Sequence, residues 1–224
     1  GIGSGYEIIV HSHTYIASAA AVALVGAKPV LCDIGKDNLI DPISVEQKIT
    51  KNTKAIMPVH VNGRTCAMAP LEDLAKRYDL MIVEDAAQAL GSKYKGKCAG
   101  TFGKFGTFSF YPAKVLGCFG DGGAIITNDD EIAEKISLLR DHGRDKNGRV
   151  VSWGTNSRLD NLQAAFLNFK LQTFPEDIQR RREIAQRYHE AFKNLKEIDL
   201  PPHPNESPDH FDIYQNYEMS ANDR

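Results

Sequence analysis

Residues 105–124 read FGTFSFYPAKVLGCFGDGGA and carry the main signals for both the fold and the chemistry of this chain. The aromatic run Phe105–Tyr111 predicts a short β-strand, and Pro112 ends it because proline has no N–H to donate to a sheet. Lys114 follows directly, beside Val115 and a glycine-rich turn. Partial burial there would lower the pKa of the Lys114 amine, as an amine nucleophile requires for Schiff-base formation. The alternative is an ordinary exposed loop lysine.

Outside this stretch, apolar runs that predict strands alternate with amphipathic patterns that predict helices. The predicted strands cover residues 6–10, 28–34, 55–61, 80–85 and 122–128, and the predicted helices cover 16–25, 41–49, 70–78 and 130–141. Strands that are apolar throughout indicate an α/β fold with a mainly parallel sheet and helices on both faces. Ligands bind such sheets at the carboxyl ends of the strands, so Asp85 and Lys114 should lie at one edge.

The last third of the chain has a different pattern. It predicts two helices, 159–171 and 176–195, then a proline-rich segment and a strand at Phe211–Met219. We therefore expect a large domain over residues 1–175 and the start of a small C-terminal domain over 176–224. The chain begins without Met and stops within this second unit, so we expect a fragment of a longer protein.

Composition excludes several classes of function. The 224 residues are 42% hydrophobic and 25% charged, which is ordinary for a globular protein, and the net charge of −2 gives no footprint for nucleic acid. No apolar run approaches the roughly 18 residues of a membrane span. The four cysteines form no C-x-x-C pair and the seven histidines show no metal-binding spacing, which argues against a disulfide scaffold or a metal site and fits a reducing cytoplasm.

Two polar residues near the end of the predicted strand 80–85 are candidates for binding a planar cofactor. Asp85 could hydrogen-bond a protonated pyridine nitrogen and keep the ring electron-deficient, or it could serve as a helix cap or ion-pair partner. Gln88 could contact a ring substituent or lie in a loop without a ligand. Glu84 should point away from Asp85, because side chains alternate along a strand. His60 is expected to be a core or loop residue.

Four further residues each have a functional and a structural interpretation. Ser109 could bond a phosphate oxygen or be an ordinary strand serine, and Tyr15 could stack on a planar ring or pack in the core. Asn156 and Arg158 lie between the sheet unit and the late helices, where either a loop role or a contact with a ligand or subunit is possible.

Four motifs, in this order along the chain, resemble one family. They are VEDAAQALG at 83–91, SFYPAKVLG at 109–117, GDGGA at 120–124 and GTNSRLDNLQAA at 154–165. Together with VGAKPVLCDI at 25–34 and LRDHG at 139–143, they resemble the pyridoxal-phosphate-dependent nucleotide-sugar aminotransferases of the DegT/StrS type. The similarity runs through nearly the whole chain.

The resemblance implies an aspartate-aminotransferase-like fold (type I) and a homodimer with a shared active site. It implies transfer of an amino group, usually from glutamate, onto a keto sugar carried by a nucleotide diphosphate. The resemblance also gives each candidate residue a role. Lys114 binds pyridoxal 5'-phosphate covalently and moves the proton, Asp85 pairs with the pyridinium nitrogen, and Gln88 contacts the hydroxyl side of the ring. Ser109 binds the phosphate, Tyr15 covers the ring, and Asn156 reaches the phosphate bound by the neighbouring subunit.

The chain departs from the family pattern in several places. An N-terminal S-G-T-type phosphate turn and the rest of the C-terminal domain are not among its 224 residues, and Lys104, Asn62 and Arg64 replace more usual residues. Two rival functions follow from the same resemblance. A related sugar dehydratase uses the same cofactor but has histidine at the position of Lys114. A non-catalytic relative would bind the cofactor or a sugar as a sensor or scaffold.

Overall fold

A computed structural model of the protein describes residues 1–221. Its centre is a six-stranded sheet with the order β2-β1-β3-β4-β7-β8, parallel throughout except that β8 runs antiparallel to β7. The strands of this sheet are β1 (Glu7–His11), β2 (Lys28–Cys32), β3 (Thr53–Met57), β4 (Met81–Asp85), β7 (Phe105–Ser109) and β8 (Gly123–Ile126). The predicted mainly parallel α/β architecture is confirmed.

Within residues 1–221, six α-helices connect or follow these strands. They are α1 (Ile16–Leu24), α2 (Pro42–Lys48), α3 (Met68–Arg77), α4 (Asp130–Leu139), α5 (Asn161–Lys170) and α6 (Phe174–Phe192). Asp41 caps α2 by accepting a hydrogen bond from the Ile43 N–H, with Pro42 in the first turn, as the sequence predicts. Among residues 1–221, none of the helices combines the length and the apolar character needed to cross a membrane.

The main core fills the space between the sheet and helices α2 and α3. Ile9 and Ile56 from the strands, Val45 from α2 and Met68 and Leu71 from α3 are all completely buried there. Burying each of these side chains contributes about 1.5–3 kcal/mol, so this layer fixes the strand ends that carry the polar residues.

The C-terminal segment differs from its prediction: there is no continuous strand at Phe211–Met219. Only the two-residue strands β10 (His210–Phe211) and β11 (Ser220–Ala221) form, paired with β5 (Lys93–Tyr94) and β9 (Ile198–Asp199). A strand β6 (Lys97–Cys98) completes the small sheet with β5.

The cause lies at Tyr214, whose φ of +51° is incompatible with an extended strand. The carbonyl groups of Tyr214 and Gln215 accept hydrogen bonds from Arg181, and the Ile213 N–H donates to the Gly63 carbonyl. Side chains and a turn therefore satisfy backbone groups that a strand neighbour would otherwise satisfy. The division at residue 175 stays a prediction.

Candidate active site

The carboxyl ends of β4 and β7 place an acid and a lysine at the same edge of the sheet. Asp85 is the last residue of β4, and Lys114 lies five residues beyond the end of β7. The chain makes a tight turn just before Lys114, in which the Lys114 N–H donates to the Tyr111 carbonyl at 2.8 Å. Gly117 closes this loop, and a Cβ there would lie 2.6 Å from the carbonyl oxygens of Tyr111 and Pro112. Only glycine fits at that position.

The Asp85 carboxylate is half-buried and is held by two donors. One oxygen accepts from the Ser18 hydroxyl at 2.7 Å, and the other accepts from the Ala87 N–H at 3.1 Å. The Ser18 proton is used in this bond, so the Thr14 hydroxyl, 2.9 Å away, donates to Ser18 in turn. The start of α1 thereby fixes the direction of Asp85.

The Lys114 amine is partly desolvated. Burial lowers the pKa of this amine below its usual range, while the negative charge of Asp85 acts in the opposite direction. Lys114 therefore loses its proton more readily than a fully exposed lysine does. This is the property that the sequence predicts for Lys114.

Gln88 is fixed by the turn that follows β3. Its side-chain oxygen accepts from the Asn62 N–H at 2.6 Å, which leaves its NH₂ group as the donor for a ligand. Asn62, one of the departures from the family pattern, adopts a φ of +60° and donates its side-chain amide to Glu218. Arg64 pairs with the buried Asp212.

The remaining candidates make only local hydrogen bonds or face solvent. The Ser109 hydroxyl accepts from the Tyr111 N–H at 3.2 Å, and Tyr15 occupies the N-cap position of α1 with 76% of its surface exposed. Asn156 is exposed, and its side-chain oxygen accepts from Arg158 at 3.0 Å. The ends of β4 and β7 thus bring Asp85, Gln88, Ser109 and Lys114 to one sheet edge, whereas Asn156 lies in the segment between α4 and α5.

Sequence reasoning missed Thr14, Ser18 and Gln215, which contact these residues. Thr14 and Ser18 show one weak signal, a spacing of four across a helix start, which brings two hydroxyls within reach of each other. Gln215 gives none, because it is distant from Lys114 along the chain.

The residues at this edge suit pyridoxal phosphate. Its aldehyde requires an amine, its ring nitrogen an anion and its phosphate several donors. The partly desolvated Lys114 and the oriented Asp85 carboxylate match the first two requirements, and the Ser109 hydroxyl is a donor for the third.

Comparison with known proteins identifies the group to which the chain is related. The family model described as the DegT/DnrJ/EryC1/StrS aminotransferase family matches residues 1–222. The chain belongs to this family. Pyridoxal phosphate is the cofactor of the family.

Individual members of the DegT/DnrJ/EryC1/StrS family are similar over most of the chain. A dTDP-3-amino-3,6-dideoxy-alpha-D-galactopyranose transaminase from Aneurinibacillus thermoaerophilus is 52% identical over 195 residues, which are 86% of this chain and 53% of the relative. A pleiotropic regulatory protein from Geobacillus stearothermophilus is 42% identical over 99% of this chain and 59% of its own length.

The crystal structure of S. venezuelae DesV superposes with a TM-score of 0.94 at 43% identity and covers 100% of this chain and 60% of DesV. This confirms the predicted type I fold. The chain spans about 53–60% of the length of these three relatives.

Proposed function

We propose that this chain forms the cofactor-binding part of an aminotransferase that moves an amino group onto a nucleotide-linked keto sugar. The observation that supports it best is the half-buried Lys114 amine, which feels the charge of the Asp85 carboxylate at the carboxyl edge of the sheet, in a chain of this family. An amine with a lowered pKa is a better nucleophile at neutral pH and a better carrier of a proton.

In this proposal each group has a defined task. Pyridoxal phosphate, when bound, supplies an aldehyde and an electron-deficient ring. Asp85, oriented by Ser18 and the Ala87 N–H, holds a proton at the ring nitrogen through a charge-assisted hydrogen bond. Lys114 binds the cofactor and then carries the proton to or from the substrate carbon.

The remaining assignments rest on the family resemblance. Gln88 contacts the hydroxyl side of the ring, Ser109 the phosphate, and Tyr15 the face of the ring. Asn156 serves the partner subunit, because its exposed position suits a contact made across a homodimer interface.

The substrate class is inferred from named relatives, such as the dTDP-linked galactopyranose transaminase. We infer a nucleotide-diphosphate keto sugar as acceptor, glutamate as amino donor and an amino sugar for a polysaccharide or secondary metabolite as product. All four cysteines are free, which is compatible with the cytoplasmic location proposed here.

The test is covalent capture. The purified protein is incubated with pyridoxal phosphate, its visible absorbance is recorded, and borohydride followed by peptide mass analysis locates the label. We expect the label on Lys114 and none in the Lys114→Ala variant, which should fold normally and lack transamination of keto sugars. A label elsewhere, or full transamination by Lys114→Ala, contradicts the proposal.

One relative favours a second candidate. The similar protein from Geobacillus stearothermophilus is named a pleiotropic regulatory protein. A regulator would bind the cofactor or sugar without turnover. Covalent capture at Lys114 without amino transfer to any of a panel of nucleotide keto sugars would favour this function over the enzyme.

A further inference from the structure

A single glutamine holds both peptide groups that flank Lys114. The side-chain NH₂ of Gln215 donates to the Ala113 carbonyl at 2.9 Å, and its side-chain oxygen accepts from the Val115 N–H at 3.0 Å. Ala113 and Val115 are the immediate neighbours of the lysine, and Gln215 lies about a hundred residues further along the chain.

Gln215 is itself anchored on both sides. Arg181 of α6 donates to the carbonyl oxygens of Tyr214 and Gln215, both at 3.2 Å. On the other side the backbone packs against the turn at Gly63, where an added Cβ would lie 2.8 Å from the Gln215 nitrogen. The glutamine therefore has little freedom to move relative to the sheet.

We propose that Gln215 is a positioning residue for Lys114. The two peptide planes around a residue set its φ and ψ, and these set the direction of its Cα–Cβ bond. By fixing both planes, Gln215 aims the amine and keeps it partly buried, within the electrostatic influence of Asp85. Holding a nucleophile in a productive geometry removes part of the entropic cost of reaction. This inference rests on the proposed function.

The same segment also reaches the other side of the site. The Ile213 N–H donates to the Gly63 carbonyl, and the neighbouring Asn62 N–H donates to Gln88. The segment 213–215 thus contacts both the loop of Lys114 and the turn that fixes Gln88. It connects two candidate cofactor contacts that lie on different loops.

A second glutamine provides a matched control. The Gln163 side chain accepts from the Phe119 N–H at 2.8 Å and donates to the Phe119 carbonyl at 3.2 Å. It makes the same two kinds of backbone hydrogen bond, but at a residue five positions after Lys114. Substituting either glutamine should therefore reduce the stability of its loop to a similar extent, whereas only substitution of Gln215 should disturb the position of Lys114.

The experiment compares Gln215→Met and Gln163→Met with the wild-type full chain. Methionine keeps the length of the side chain and removes both hydrogen bonds. The rate of borohydride-trapped attachment of pyridoxal phosphate to Lys114 is measured between pH 6 and about 10, across the range of a lowered lysine pKa, together with urea unfolding.

We expect capture by Gln215→Met to slow roughly tenfold, as the loss of two ordinary hydrogen bonds permits. Its pH midpoint should move upward, because a released amine regains solvation. Gln163→Met should keep the wild-type rate and midpoint.

The outcomes separate the two proposals. If wild-type protein attaches no cofactor at Lys114, the proposed function fails and this inference fails with it. If wild-type protein is labelled but Gln215→Met matches it in rate and midpoint, only the positioning role is overturned. An equal slowing in Gln163→Met and Gln215→Met, or a Gln215→Met chain that is labelled only in proportion to its folded fraction, also overturns it.

Discussion

Glu84 and Asp85 are adjacent acids at the end of β4, yet they lie in opposite environments. Glu84 is completely buried beneath the sheet edge, whereas Asp85 is half-buried at the edge that carries Lys114. Side-chain alternation along the strand separates them, as the sequence predicts. The comparison distinguishes a carboxylate that holds the fold from one that is left available for a ligand.

The Glu84 carboxylate is saturated with donors. One oxygen accepts from His60 Nε2 at 3.0 Å and the Gly100 N–H at 2.7 Å, and the other accepts from the N–H groups of Phe102 and Gly103, both at 2.6 Å. His60 Nδ1 accepts from the Cys66 N–H, so the ring proton lies on Nε2 and points at Glu84. Four donors leave no capacity for a ligand.

Asp85 has two protein donors, Ser18 and the Ala87 N–H. An ionised carboxylate has about four acceptor sites, so it can still accept from a protonated ring nitrogen. The difference between the two acids is therefore a difference in unused acceptor capacity. It assigns a structural role to Glu84 and supports the chemical role proposed for Asp85.

The largest expected effect is on stability. Glu84→Ala would leave the His60 ring and three backbone N–H groups without their acceptor, and breaking such a buried arrangement costs about 3–5 kcal/mol. Urea unfolding should show this loss in the free energy of unfolding. Glu131→Ala, which removes an exposed acid from α4, should cost less than about 1 kcal/mol and serves as the control. Equal losses of unfolding free energy in the two variants would show that Glu84 does not have this structural role.

The second effect is on chemistry. Asp85→Asn keeps the shape and the contact with Ser18 but removes the negative charge, so turnover should fall by about 10²-fold or more while capture at Lys114 persists. The Lys114 pKa should fall further, because Asp85 acts to raise it. Stopped-flow turnover and the pH dependence of borohydride trapping measure these changes. Normal turnover in this variant would exclude Asp85 from the mechanism.

The comparison also shows which parts of the molecule the sequence predicts. The alternating strand and helix patterns, the lysine turn and the separation of Glu84 from Asp85 all follow from local rules of periodicity and turn chemistry. These local patterns also predict where each strand ends. For that reason Asp85 and Lys114 could be placed at one edge from the sequence alone.

The partners of these residues could not be predicted in the same way. The donors to Glu84 come from residues 60, 100, 102 and 103. The side chain that bonds both peptide groups flanking Lys114 comes from residue 215. Contacts of this kind depend on the tertiary fold, and no local pattern encodes them. The failed strand at Phe211–Met219 has the same origin, since Arg181 and the Gly63 turn override its apolar alternation.

The smallest expected effect is the pH dependence that Glu84 adds to stability. Burial by itself would raise the pKa of Glu84, but the hydrogen bond from His60, with those from the N–H groups of Gly103 and Gly100, outweighs burial and lowers it. A carboxyl whose pKa is lower in the folded state stabilises the fold at pH values above its unfolded pKa of about 4.3. That contribution is lost as the pH falls through the folded pKa, and it amounts to about 1.4 kcal/mol for every tenfold difference between the folded and unfolded acid dissociation constants.

Glu84→Gln cannot titrate, so its stability deficit relative to wild type should be constant from pH 7 to about 5 and should shrink as the pH falls below about 4.3. Urea unfolding of both proteins across this range measures the deficit, with Glu131→Gln as the control for the loss of one exposed charge. A deficit that stays constant down to pH 3 would mean that Glu84 gains nothing from being ionised in the fold. The four donors would then hold a neutral carboxyl equally well, and the two acids of β4 would differ in burial alone.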